Sequence, residues 1–252
     1  MDQIIFVESI HNLGGRVFLV GGYVRDLIRN VKAKDRDYCL TGIDEASFTA
    51  KFPNAEQIGK AFPVYLLTID DEKCEVAFAR REKKSGHGYK GFQTYFDKSV
   101  TIEDDLYRRD TTMNSIAMEL PSEKFIDPFH GIEDIHDKKI RAVSEHFLED
   151  PVRALRAARQ SAELQFQITA ETFELMKQCR AEIQDEPAER IFNELMRAIK
   201  SDRPSIFFRS LLRANLLDVT FPEIFDLVGK SQPVQFHPEG DAFEHTMQIL
   251  DK

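Results

Sequence analysis

The chain has 252 residues, 42% of them hydrophobic, which is enough apolar material for a sizeable core in one large domain or two smaller ones. Its net charge of −9 excludes a uniformly basic nucleic-acid binder but not a bipolar surface, because basic residues gather at Arg80–Lys84 and Arg153–Arg159 while Glu103–Asp104–Asp105 is acidic. The three cysteines form no CxxC pair, the N-terminus has no signal-peptide pattern, and no stretch approaches the roughly 20 apolar residues of a membrane helix, so a reduced, cytoplasmic protein is expected.

In chain order, residues 3–10 read as a short helix or strand. Arg16–Val20 is a β-branched and aromatic run ending in Gly21–Gly22, a strand and tight turn, after which Tyr23–Arg29 looks helical. Asp35–Leu40 reads as a second strand. Val64–Ile69 and Cys74–Ala79 alternate as a hairpin around Asp70–Asp71. Lys83–Lys90, with Ser85, Gly86 and Gly88, reads as a mobile loop. From Leu106 the pattern turns mostly helical. Asp150–Pro151 marks a helix start, with an N-cap carboxylate followed by proline, and this helix runs to about Leu164. Further helices are expected near 171–183, 188–200 and 204–215. A linker at 229–240 then precedes a last helix near Asp241.

Two constellations carry chemistry. Glycines between a strand and a helix let backbone N–H groups approach phosphate oxygens, and Arg25 in the first helical turn adds a charged fork. A strand repeats every two residues, so Asp35 and Asp37 are expected on one face and Arg36 on the other. Paired carboxylates beside a phosphate cradle suit Mg²⁺, a hard cation, for in-line displacement at a triphosphate; the plain alternative is a pair of solvent-facing acids.

Together Gly21–Gly22–Tyr23–Val24–Arg25–Asp26 and Lys34–Asp35–Arg36–Asp37 resemble the class II CCA-adding enzymes and the related bacterial poly(A) polymerases. The resemblance continues through Arg108–Asn114, Ile126–Asp127–Pro128, Glu149–Arg159 and Glu189–Arg190 with Glu194, covering roughly residues 16–200. The Lys34–Asp37 form and Lys84–Tyr89 look nearest to the bacterial enzymes that carry an HD domain, and His237–Asp241 with Glu244–His245 resembles the opening of such a domain. The chain ends before the later His-Asp pair that an HD metal site needs, so no metal role is expected of His237 or His245.

The resemblance implies an α/β nucleotidyltransferase domain, a small mixed sheet with helices over residues 1–140, followed by an all-helical part. A nucleotide- and RNA-binding region is expected over 141–228 and a linker with the start of an HD-like domain over 229–252. It implies CCA addition to the 3′ end of tRNA from CTP and ATP with Mg²⁺. Asp35 and Asp37 would hold the metal, and Gly22, Arg25 and Arg109 the triphosphate. Asp150, Arg153, Arg156 and Arg159 would bind the nucleotide and read its base. The Arg153, Arg156 and Arg159 stripe is expected to be exposed and to meet an anion, or else to be a solvated salt-bridging face. Cytosine and adenine each show an amino donor beside a ring acceptor, which an Asp–Arg pair matches; uracil and guanine show the reverse order. The resemblance gives this templating role to Asp150 and Arg153, although Asp150 also fits a simple N-cap. Glu189, Arg190 and Glu194 are expected to form a supporting ion-pair network. The basic, aromatic Lys83–Gly91 loop suits a lid, and in the family such a loop accompanies the terminal A step. The rivals are a poly(A) or A-only polymerase of the same superfamily and a non-catalytic RNA-binding module.

Overall fold

A computed structural model describes the chain apart from residues 34, 59–61, 85–91 and 234 and the side chains of 83, 84, 92 and 93. It divides into two compact units, one built from residues up to Asp137 and one from Lys138 to Lys252.

The first unit begins with α1 (Gln3–Asn12), whose first turn is capped by the Asp2 carboxylate accepting from Ile4 N–H at 2.7 Å. Then come β1 (Arg16–Val20), α2 (Gly22–Ile28), β2 (Asp37–Thr41), α3 (Glu45–Lys51), β3 (Glu56–Gln57), β4 (Val64–Ile69) and β5 (Glu72–Phe78). After these follow the β6–β7 pair (Arg81–Lys84, Phe92–Tyr95), α4 (Ile102–Tyr107), a 3₁₀ turn at Thr112–Asn114, β8 (Ala117–Leu120), β9 (Lys124–Ile126) and α5 (Gly131–His136). The main sheet has seven strands in the order β3-β4-β5-β2-β1-β8-β9, with β2 and β5 parallel and the other pairings antiparallel. The β4–β5 hairpin turns at Asp70 and Asp71 with φ of 50° and 63°, the paired positive values of the turn whose twist suits a two-residue hairpin.

Alternation splits β1 and β2 between two cores. Phe18, Val20 and Cys39 join Ala117 and, from α4, Ile102 and Leu106. On the other face Tyr38 meets Phe6 of α1, ring centroids 5.3 Å apart. Because Asp37 shares its side of β2 with Cys39, it sits on the face that α4 covers.

Three expectations change here. The second strand starts at Asp37, leaving Asp35 in the segment leading into it. The region after Leu106 is not mainly helical before residue 140, since β8 and β9 extend the sheet beyond β1. Ala-Met-Glu-Leu carries no β-branched signal; register with Val17–Val20 makes it a strand. Lys83 and Lys84 fall in β6, and the rest of the expected loop lies outside the described residues.

The second unit opens with β10 (Lys139–Ile140) and a 3₁₀ segment at Glu145–Glu149. It then holds α6 (Val152–Leu164), β11 (Gln167–Ile168), α7 (Ala170–Gln178), α8 (Arg180–Ile183), α9 (Ala188–Ala198), α10 (Ser205–Arg213), α11 (Leu217–Thr220), α12 (Pro222–Phe225) and α13 (Ala242–Leu250). Helix α6 is buried along most of its length and packs against α9 and α10. Among its described residues the strands form a two-strand parallel ladder pairing Lys139 with Gln167 and Ile140 with Ile168, and the other regular elements are helices. The helix expected over 171–183 is interrupted at Cys179. Among the described residues no helix is long and apolar enough to cross a membrane. Cys39, Cys74 and Cys179 are buried free thiols.

Candidate active site

In the first unit the register of β1 against β2 pairs Val20 with Asp37, so the turn that follows β1 begins beside this carboxylate. Gly21 has φ +72°, a conformation that favours glycine. A Cβ there would lie 3.4 Å from Arg109 Nη1 and 3.8 Å from Asp37 Oδ2, so the turn, the carboxylate and the guanidinium converge. Gly21 makes this approach, whereas Gly22 lies against the guanidinium of Arg25.

Asp37 is half-buried and pushed up to about 6, by burial first, then by Glu75 and Asp35, against the opposing pull of Arg109. Glu75 is the parallel-strand partner of Asp37 and was not legible in the sequence. Its one signal was a charged residue between the buried Cys74 and Val76, and only the β2–β5 pairing aligns it with Asp37. Asp35 is exposed. Arg36, which precedes the strand, turns onto Asp70 at 2.7 Å and Glu72 at 2.9 Å. Asp35 and Glu75 are thus near enough for their charge to raise Asp37, and the carboxylates where β2 begins are of a type that suits a hard divalent cation.

Arg25 does not project as a loose fork. Its Nε and Nη2 each donate to Asp26 at 3.0 Å, and Nη1 donates to Asn114 Oδ1 at 2.9 Å. Asn114 is held in turn by donating to Asp110 at 3.3 Å and Thr111 at 3.1 Å, so the Arg108–Asn114 motif and the glycine turn brace one another. Asp127 is more than a bend: its two oxygens accept from Gly131 N–H at 2.7 Å and Ile132 N–H at 2.9 Å, capping α5.

In the second unit Asp150 does cap α6, accepting from Val152 N–H at 3.1 Å. Its other oxygen accepts from Arg190 Nη2 at 2.8 Å, and Arg190 also pairs with the buried Glu186 at 2.6 Å. The arginine stripe is not an exposed face. Arg153 is 7% exposed and donates to the His146 carbonyl at 2.6 Å, and Arg159 is 3% exposed between Glu194 at 2.5 Å and Glu163. Only Arg156 is half-exposed, 3.8 Å from Glu194. A three-residue step of about 300° leaves Arg153 and Arg159 about 60° to either side of Arg156, and packing buries those two flanks while the strip at Arg156 stays half-exposed. Glu189, Arg190 and Glu194 do not form one network: Arg190 pairs with Asp150 and Glu186, Glu194 pairs with Arg159, and Glu189 is exposed. Farther on, the His237 Nδ1 atom lies 3.3 Å from Glu239 Oε1 and from His245 Nδ1, within the segment that resembles the opening of an HD domain.

Residues 17–141 match the poly A polymerase head domain, and residues 165–227 match the probable RNA- and SrmB-binding site of polymerase A. A curated relative, the multifunctional CCA protein of Mannheimia succiniciproducens, is 41% identical over 94% of this chain and 57% of its own length. The chain belongs to the family of class II CCA-adding enzymes and poly(A) polymerases. A second member, the multifunctional CCA protein of Xanthomonas axonopodis pv. citri, is 42% identical over 94% of this chain and 58% of its own. The solved Bacillus stearothermophilus CCA-adding enzyme in complex with CTP superposes with a TM-score of 0.75 at 27% identity, over 85% of this chain and 52% of the other. The chain thus spans somewhat more than half the length of the curated family members it matches.

Proposed function

We propose that this chain catalyses template-independent addition of C and A residues to the 3′ end of tRNA, using CTP and ATP and releasing pyrophosphate. The observation that carries the reading is the meeting of Asp37, the Gly21 turn and Arg109, which sets carboxylates beside a site for phosphates. The relatives named for CCA and the related enzyme crystallised with CTP support the choice of nucleotides. A Thermotoga maritima CCA-adding enzyme complexed with tRNA, 26% identical with a TM-score of 0.71 over 87% of this chain and 51% of the other, supports the acceptor.

In this reading Asp35 and Asp37, with Glu75 adjacent, hold Mg²⁺, which when bound would polarise the phosphate and lower the pKa of the attacking 3′-hydroxyl. The backbone of the Gly21–Gly22 turn and the Arg109 guanidinium bind the triphosphate, and Arg25 fixes the geometry of the turn while adding positive charge. Asp150 accepts from the amino group that cytosine and adenine share, since each carboxylate oxygen has a second lone pair beyond the bonds to Val152 and Arg190. Arg153 donates to the ring nitrogen, and Arg156 and Arg159 hold the helix face that carries the pair. The reaction belongs in the cytoplasm, where buried free thiols stay reduced.

Incubation with tRNA lacking its 3′ end, and with each nucleotide singly and in pairs, tests the reading. Two C residues and one A from CTP plus ATP support it; long A tails would instead establish the poly(A) alternative.

A further inference from the structure

We infer that Asp105 is a positioning residue of the nucleotide site, acting through Arg109; this rests on the reading of Arg109 as a triphosphate ligand. Asp105 lies in the last turn of α4 and is 1% exposed. Each of its oxygens is claimed by a different guanidinium. Oδ1 accepts from Arg108 Nη2 at 2.6 Å and Nε at 3.0 Å, and Oδ2 accepts from Arg109 Nη2 at 2.8 Å and Nε at 3.1 Å. Positions three and four along from Asp105 both reach back over the helix end, so one carboxylate binds two consecutive arginines.

The consequence lies in what remains of Arg109. A guanidinium is a rigid planar fork, so two clamped N–H groups fix the direction of the others. The unclamped nitrogen, Nη1, points to the Asn114 carbonyl at 3.4 Å and to the Gly21 turn. Asp37 is close enough to feel the Arg109 charge, and an untethered guanidinium would be drawn onto it. Asp105 therefore aims one edge of Arg109 at the place where phosphates bind. Arg108 takes the other oxygen and also reaches Glu82 of β6 at 3.3 Å, which anchors the carboxylate from its far side.

A double-mutant cycle separates this role from a merely structural one. Asp105→Asn, Arg109→Ala and the double variant are purified, their melting temperatures measured, and steady-state constants taken for CTP and ATP on tRNA lacking its end. Asp105→Asn is expected to raise KM for both nucleotides about tenfold with kcat within about threefold. Arg109→Ala is expected to do at least as much, and the double variant no more than Arg109→Ala alone, because one interaction is lost twice. Should Asp105→Asn fail to fold, Asp105→Glu keeps the charge and displaces the carboxylate by one methylene, with the same rise in KM expected. Losses that multiply in the double variant, or a folded Asp105 variant with wild-type KM beside a defective Arg109→Ala, overturn the positioning role alone. A wild-type KM for Arg109→Ala overturns the nucleotide reading as well.

Discussion

The Asp150 carboxylate accepts from the Arg190 guanidinium at 2.8 Å while its other oxygen holds the backbone N–H of Val152 at 3.1 Å. One side chain thus caps α6 and is tethered to α9, so its direction is fixed before any base arrives. Asp150→Ser keeps a capping oxygen and removes the charge; it is expected to raise UTP and GTP incorporation relative to CTP and ATP about tenfold or more. Asp150→Ala should do the same and lose a further 0.5–2 kcal/mol of stability, roughly the value of an N-cap. Arg190→Gln should relax selectivity partially, since it releases the tether and leaves the carboxylate. Unchanged selectivity in Asp150→Ser would make the residue a cap and nothing more.

Asp35→Ala and Asp37→Ala are each expected to lower incorporation about a thousandfold or more, with CTP binding retained in part. Single-turnover addition of CMP to tRNA lacking its end, alongside equilibrium CTP binding, checks both halves. Near-wild-type turnover in Mg²⁺ for either variant would remove the paired-carboxylate site.

The raised Asp37 gives a pH signature. Its folded value near 6 stands above its ordinary 3.8. Between those limits the folded chain holds a proton that the unfolded chain releases, so this group's stabilisation is complete below about pH 4 and declines as pH rises through 6. A divalent cation favours the ionised form, so Mg²⁺ should move the Asp37 midpoint downward. Glu75→Gln should also move it downward, by removing a repelling charge. Carboxyl ¹³C NMR titration of the metal-free and Mg²⁺-loaded chain reads this directly, and a midpoint near 4 that ignores Mg²⁺ would contradict it.

Arg159 and Arg156 should behave differently although they lie on the same helix. Arg159 is buried between the buried Glu194 and the exposed Glu163, so Arg159→Ala strands the Glu194 carboxylate and is expected to cost about 3–5 kcal/mol, a melting-temperature loss of roughly 10 °C. Arg156 is half-exposed and Arg156→Ala should cost less than about 1 kcal/mol. Thermal denaturation followed by circular dichroism distinguishes them; equal losses would mean that the burial of Arg159 carries no energetic weight.

Much of this architecture is written in local pattern. Strand β1, the glycine turn, the β4–β5 hairpin and the span of α6 follow from alternation, positive-φ turn residues and the Asp150–Pro151 start, all of which act over a few neighbouring residues. The motifs of the first unit were legible as well, because Gly22, Arg25, Asp35, Asp37 and Arg109 stand in ordered motifs whose residue types suit phosphates and a hard cation, whereas the close approach of Gly21 to Arg109 and Asp37 was not. What the sequence could not determine depends on groups far apart in the chain. Ala117–Leu120 becomes a strand because Val17–Val20 offers it an edge, Glu75 joins Asp37 because β2 and β5 lie parallel, and Asp105 turns from one acid in a run into the anchor of two arginines. The arginine stripe shows the same limit from the other side: spacing sets which residues share a helix face, and only packing against α9 and α10 decides which face is buried.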